Sequence, residues 1–291
     1  MTTPPPQSLL TIACIQMRPE IGEIQANVAH SLQLIRRAHQ QGAQLIVLPE
    51  LCNSGYMFAS RSEAFALSET IDGETVQAWL AIAKELDITL VAGFTERDGD
   101  QLFNSAALVG PDGLIGCYRK LHLWGEENLF FERGNLQVPV FSTPFGRIAC
   151  AICYDMWFPE VMRLAALQGA DILCVPTNWV PMANQPVDQP VMANILAMAG
   201  AHSNSMFIAA ADRVGIERGQ PFLGSSIIVG CEGWPLAGPA SINDEEILIA
   251  QVNLSDARKS RQFNAYNHVL HDRRTDFYQD MLGTTLVRGP G

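Results

Sequence analysis

The chain predicts an α/β fold with mixed sheets, on three features of its 291 residues. Short apolar runs rich in β-branched residues alternate with stretches whose apolar residues recur at helical spacing. Two pairs of runs lie close enough together to form hairpins, which adds antiparallel strands to sheets otherwise built through helical connections. Finally, Gly42-Ala-Gln-Leu-Ile-Val-Leu-Pro49 returns as Gly169-Ala-Asp-Ile-Leu-Cys-Val-Pro176, each copy preceded by a helix, so an internal pseudo-two-fold relation between two halves is expected.

Leu9 to Met17 is an apolar first strand, and Ile24, Val28, Leu32, Ile35 and Ala38 mark a helix over about 24–40. Gly42 ends that helix, and Leu45-Ile-Val-Leu48 is a buried strand running into Pro49-Glu50. Residues 51–70 read as loop, with Asn53-Ser-Gly55 as a turn; Val76, Leu80, Ala83 and Leu86 mark the next helix. Ile88–Thr95 and Leu102–Val109 are strands, and Pro111-Asp-Gly113 turns the second into a strand over Leu114–Tyr118. The charged and aromatic stretch 119–134 has the composition of a functional loop, with Lys120 at its root. Val138–Phe141 and Arg147–Ile152 form the second hairpin and lead to Cys153, after which Pro159 opens a helix. A helix over 190–204, strands over 206–211, 226–229 and 247–252, and a polar helix over 254–262 follow. From Phe263 no period is sustained. The expected organisation is an extended leader at 1–8, one catalytic domain at 9–262, and an arm at 263–291 that packs at a subunit interface.

Composition narrows the function. A formal charge of −11, with no basic run, argues against a nucleic-acid partner. No apolar stretch reaches membrane-spanning length, and the N-terminus lacks a charged start and an apolar core of the secretory kind. Seven cysteines, odd in number and mostly set in apolar runs, suit reduced thiols, so a soluble cytoplasmic protein without disulfides is expected.

Three residues share one placement: Glu50, Lys120 and Cys153 each follow a predicted strand. In open α/β sheets the carboxyl ends of strands are where ligands bind. Cys153, at a strand-to-helix turn, is a candidate nucleophile, the alternative being a buried structural cysteine. A thiol nucleophile needs a base, a group that stabilises developing negative charge and a proton donor, which Glu and Lys can supply. Among the six histidines only His122 and His202 are placed to compete as base. Cys150-Ala-Ile-Cys153 is a CxxC string and invites a redox reading, but Cys150 lies within the strand, facing away from Cys153. Neither a metal-ligand spacing nor a Gly-rich phosphate loop is present, so no cofactor is expected.

The chain resembles the nitrilase superfamily of carbon–nitrogen hydrolases over nearly its whole length. Leu48-Pro-Glu50 with Gly55-Tyr56 resembles the family's glutamate motif, Tyr118-Arg-Lys-Leu-His-Leu123 its lysine motif, and Cys153-Tyr-Asp-Met-Trp-Phe-Pro-Glu160 its cysteine motif. Glu127-Asn-Leu-Phe-Phe-Glu-Arg-Gly134 resembles the segment carrying a second active-site glutamate, assigned to Glu127 with Glu126 as its neighbour. Ala211–Gly219 and Gly224-Ser-Ser226 resemble later family segments. The resemblance implies a four-layer α–β–β–α sandwich with two mixed sheets, a homodimer or larger homo-oligomer, and no cofactor. It implies further that Cys153 attacks an amide or nitrile carbon, that Glu50 moves the protons, that Lys120 and the Tyr154 N–H stabilise the anion, and that a thioester forms. Tyr56, Trp157, Asn178 and Trp179 are expected to shape the pocket. Cys-Tyr-Asp in place of Cys-Trp-Glu favours a small amide or N-carbamoyl substrate over a nitrile, with an aliphatic nitrile as the alternative. A non-catalytic binding or assembly module is the rival from another class.

Overall fold

The computed structural model describes residues 9–184, 186 and 189–282, so the expected leader at 1–8 and the last part of the arm lie outside the described residues. In chain order, β1 (Leu10–Gln16), α1 (Ile24–Gln40), β2 (Leu45–Val47), α2 (Arg61–Ala66), α3 (Glu74–Leu86), β3 (Thr89–Asp98), β4 (Gln101–Gly110) and β5 (Gly113–Arg119) build the first half. After α4 (Glu127–Phe130) come β6 (Val140–Thr143), β7 (Gly146–Cys150), α5 (Pro159–Leu167), β8 (Ile172–Pro176), α6 (Met192–Asn204) and β9 (Phe207–Ala211). The remainder is β10 (Ile216–Glu217), β11 (Gln220–Pro221), β12 (Ile227–Val229), β13 (Pro235–Ala237), β14 (Glu246–Val252), α7 (Ser255–Ser260) and α8 (Thr275–Leu282).

Two six-stranded mixed sheets result, ordered β14-β1-β2-β3-β4-β5 and β13-β12-β9-β8-β7-β6. Because side chains alternate along a strand, β1 sends Leu10, Ile12 and Cys14 into the core between the sheets, and Ala13 and Ile15 to the opposite face. That opposite face is covered by α1 and α3 through Leu34, Ile35, Val76, Trp79 and Ile82. Val161, Met162 and Ala165 of α5 and Ala193, Ala197 and Ala201 of α6 join the core packed on the second sheet. The layers are therefore α–β–β–α, as the motifs implied.

The pseudo-symmetry is explicit in the pairing. Ile12, Ala13 and Cys14 of β1 run parallel to Leu45, Ile46 and Val47, just as Ile148, Ala149 and Cys150 of β7 run parallel to Ile172, Leu173 and Cys174. The tripeptide Ile-Ala-Cys is thus repeated at equivalent places. β14 flanks β1 antiparallel as β6 flanks β7.

Several boundaries differ from the sequence reading. The expected loop over 51–70 contains α2, whose N-cap Ser60 accepts the Glu63 N–H through its hydroxyl. The strand-to-helix turn expected at Cys153 takes 3-10 form over Cys153–Trp157, and α5 begins at Pro159 as expected. The arm from Phe263, expected to be irregular, carries α8. On α1 the buried face runs through Asn27, Ser31, Leu34, Ile35 and Ala38, because Ser31 accepts a hydrogen bond from the buried Trp79 indole of α3 at 3.2 Å.

Candidate active site

Glu50 lies three residues beyond the end of β2, in a segment that doubles back against β3. The close approach depends on Gly93: a Cβ there would sit 2.6 Å from the Glu50 Cα, 2.6 Å from the Pro49 carbonyl oxygen and 2.7 Å from the Leu51 nitrogen. Leu51, with φ 46°, completes the turn. Asn178 donates to the Glu50 carbonyl at 2.9 Å and so ties this turn to the second sheet. The Glu50 carboxylate is fully buried. Its Oε1 accepts from Lys120 Nζ at 2.6 Å and from Asn104 Nδ2 at 2.6 Å, while Oε2 has no partner among the described residues.

Lys120 is the first residue after β5, and its N–H donates to the Asn104 carbonyl at 2.9 Å, so Asn104 positions both Lys120 and Glu50. Its ammonium also donates to Glu127 Oε1 at 2.7 Å. That same oxygen accepts the Tyr56 hydroxyl at 2.5 Å, and Glu127 Oε2 accepts the Trp124 N–H at 3.3 Å. Glu127 is buried and Glu126 is exposed, so of the two candidates it is Glu127 that reaches the lysine.

Cys153 opens the 3-10 turn with φ 46°, a left-handed conformation uncommon for a residue with a Cβ. Asp155 holds it there. Its Oδ2 accepts the Ile152 N–H at 3.0 Å and the Tyr118 hydroxyl at 2.7 Å, and its Oδ1 accepts the His122 N–H at 3.0 Å. One buried carboxylate therefore links the cysteine turn to residues on both sides of Lys120.

The electrostatics follow from burial. Desolvation raises the Glu50 carboxyl to about 7, with Lys120 opposing and Glu127 adding to the rise. For Lys120, burial favours the neutral amine, but the charges of Glu127 and Glu50 outweigh it and hold the group above its ordinary range. Burial also pushes the Cys153 thiol well above its usual value; Glu50 adds to this and Lys120 works against it. Burial therefore favours the thiol form of Cys153, while the Glu50 carboxyl, raised to about 7, can gain or lose a proton near neutrality.

Cys153 opens onto a narrow cleft lined with Trp124, Tyr154, Trp157, Asn178, Trp179 and Met182. A second, roomier cleft, sharing Trp124 and Val180 with the first, is lined with Tyr56, Met57, Glu126 and Glu127. Trp157, Asn178 and Trp179 line the first cleft, whereas Tyr56 lines the adjoining one and bonds to Glu127. Cys150 is buried between the sheets beside Cys174. His122 pairs through Nδ1 with Asp155 at 2.8 Å, and His202 bonds the Glu232 carbonyl at the surface.

Asn104 and Asp155 were not singled out from the sequence as site residues. Asn104 carried a signal, being polar within the apolar run Leu102-Phe-Asn-Ser-Ala-Ala107; Asp155 lay inside the cysteine motif with nothing to separate it from its neighbours.

Over 271 residues the chain is 40% identical to a protein named nitrilase from Pyrococcus abyssi, spanning 93% of this chain and 99% of that one. It is 32% identical over 294 residues to the N-carbamoylputrescine amidase of Solanum lycopersicum, spanning 94% and 95% of the two chains. The crystal structure of a carbon-nitrogen hydrolase from Helicobacter pylori G27 superposes with a TM-score of 0.85 at 28% identity, covering 96% of this chain and 99% of that one. A profile described as carbon-nitrogen hydrolase matches residues 11–262, and the chain belongs to that family, as a hydrolase of the amidase and nitrilase type.

Proposed function

We propose that this hydrolase converts a small amide or N-carbamoyl compound to an acid and ammonia or an amine through a thioester on Cys153. The observation that carries the reading is the division of labour at Glu50. One oxygen is fixed by Lys120 and Asn104, and the other is left without a partner among the described residues, with the buried Cys153 thiol near enough to feel its charge.

In the acylation step the Cys153 thiol proton passes to Glu50 as sulfur attacks the carbonyl carbon, and the carbonyl π electrons move to oxygen. Lys120 and the Tyr154 N–H face the resulting oxyanion. Collapse of the tetrahedral intermediate breaks the C–N bond, with the proton held by Glu50 transferred to the departing nitrogen, so ammonia or an amine leaves and the thioester remains. Water then gives a proton to Glu50 and attacks the thioester; the thiolate departs, regains that proton and releases the acid. A base poised near 7 suits both proton transfers at neutral pH. Glu127 keeps Lys120 charged and in place. Apolar and aromatic walls around a small cleft suit an uncharged acyl group.

Hydrolysis of a small nitrile is the second reading, favoured by the name of the Pyrococcus abyssi relative. Ammonia release from matched nitriles, their amides and N-carbamoyl amines tests the choice: the amide or carbamoyl compound is expected to be turned over faster, and preference for nitriles would overturn it. Cys153→Ala is expected to abolish turnover of every compound while remaining folded. Retained activity would instead fit a different nucleophile, and a wild-type protein that neither turns over a compound nor gains an acyl mass on Cys153 would fit a binding module.

A further inference from the structure

The hairpin formed by β10 and β11 stands apart from both large sheets, yet it grips the segment that carries Tyr56. Glu217 is buried, with its side chain 3% exposed. Its Oε1 accepts two consecutive backbone N–H groups, those of Tyr56 and Met57, each at 2.7 Å. Its Oε2 accepts from Arg213 at 2.9 Å, and Arg213 is held in turn by the Pro19 carbonyl at 2.7 Å and by the Phe222 ring 4.2 Å below its guanidinium. Gly55 makes room for this contact: φ is 86°, and a Cβ would lie 2.6 Å from the Ile21 Cα and 2.9 Å from Glu217 Oε2. On the outer side Arg218 donates to the Met57 carbonyl at 2.9 Å and pairs with Glu63 at 2.7 Å through both terminal nitrogens.

What this grip controls is one hydroxyl. Tyr56 donates to Glu127 Oε1, the oxygen that also receives the Lys120 ammonium. A carboxylate accepting two main-chain N–H groups makes charge-assisted bonds that resist small displacements of the backbone. A shift of Tyr56 would move the Glu127 oxygen and with it the lysine nitrogen.

We infer that Glu217 is a positioning residue that fixes Tyr56 and, through the Tyr56–Glu127 hydrogen bond, sets Lys120 for the transition state. The inference rests on the reading of Lys120 as partner of the oxyanion. A role limited to stability would lower the yield of folded protein without regard to the Tyr56 hydroxyl. A positioning role has a different signature, because removing that hydroxyl disconnects Glu217 from the lysine.

The test is a double-mutant cycle of Glu217→Gln and Tyr56→Phe, read on ammonia release from whichever of the amide, nitrile and carbamoyl probes the wild type turns over fastest. Glu217→Gln alone is expected to lower kcat about tenfold with KM within about twofold, since Lys120 acts on developing charge. In the Tyr56→Phe background the same change is expected to lower kcat by less than about twofold. Equal losses in both backgrounds, or no loss in the first, would overturn the inference. Should loss of the buried partner of Arg213 prevent folding, Arg218→Ala replaces it in the cycle, as that side chain is 40% exposed; a loss of about threefold that disappears with Tyr56→Phe is then expected, and an additive result or no loss counts against the inference. Mass spectrometry for an acyl adduct on wild-type Cys153 separates the two levels. Absence of the adduct removes the reading on which this rests, whereas an adduct with an additive cycle removes only the role of Glu217.

Discussion

The ends of β2 and β8 begin as copies of one another and finish differently. Both enter from equivalent surroundings: Gln44 accepts the Thr11 N–H through its side chain at 3.3 Å, and Asp171 accepts the Arg147 N–H in the same way at 3.0 Å. Both strands run to a proline. Beyond it, Thr177 stays in the ladder and donates to the Ala211 carbonyl at 2.9 Å, whereas Glu50 leaves it, since the residue of β3 matching Ala211 is Gly93. One missing methyl lets the chain fold back and bring a carboxylate onto Lys120. The other strand pair diverges too: Cys153 of the second half takes a left-handed turn, while Met17, its counterpart after β1, remains extended in a bridge to Arg213. The duplicated scaffold supplies two similar strand ends, and the proposed site takes its base and lysine from one half and its nucleophile from the other.

The largest test of that division is Glu50→Gln, which keeps the shape and the bond from Lys120 but cannot carry a proton. A fall in kcat/KM of about a thousandfold is expected with little change in thermal midpoint; a loss under tenfold would place the base elsewhere. Gly93→Ala comes next. The added methyl collides with three backbone atoms of the Pro49–Leu51 turn, so Glu50 must shift, and a loss of about a hundredfold in kcat is expected from misplacement alone. A crystal structure of this variant with Glu50 unmoved would break the comparison.

Glu127→Gln has a smaller effect, read in the pH profile. The base works deprotonated, so kcat/KM is expected to fall as pH drops through about 7, where burial has pushed Glu50. Glu127 adds to that rise through its negative charge, so neutralising it lets Glu50 ionise more easily and moves the acid limb to lower pH. An upward or absent shift would show that Glu127 does not act on the base.

The layers and the three motif residues were legible because they depend on patterns several residues long. α1 spans Ile24–Gln40 as its period predicts, and Glu50, Lys120 and Cys153 each follow a strand closely. Shorter features escaped. β10 and β11 have two residues each, too few for alternation to register, so the grip of Glu217 on Tyr56 could not be foreseen. The turn at Cys153 was expected, but not its 3-10 form, because Pro159 announces the helix that follows and not the hydrogen bonding of the turn before it. α2 was missed although Ser60 and Glu63 form a capping signature, because its six residues carry a single buried position. Asn178 was expected to touch substrate; it lines the cleft and also anchors the Glu50 carbonyl, a contact 128 residues apart in sequence that no local pattern encodes.

The smallest effect is the sharpest control on the comparison. Ala211→Gly gives the second half the space that Gly93 provides in the first, without any collision to relieve. If space alone redirected the chain, Thr177 would leave the ladder and the adjoining turn would change. The Thr177 N–H, however, already has its partner in the Ala211 carbonyl, and its side chain interacts with Cys153 of the same half, so Thr177 is held where it is and is not drawn across to Lys120 as Glu50 is. Only the backbone entropy and packing of one methyl are lost, about 1 kcal/mol, or about 2 °C in thermal midpoint for a chain of this size. Activity within about twofold of wild type is therefore expected, against the hundredfold loss for Gly93→Ala. A comparable loss in both would mean that the two strand ends are held by the same forces, and that the glycine permits the turn at Glu50 without being what distinguishes it.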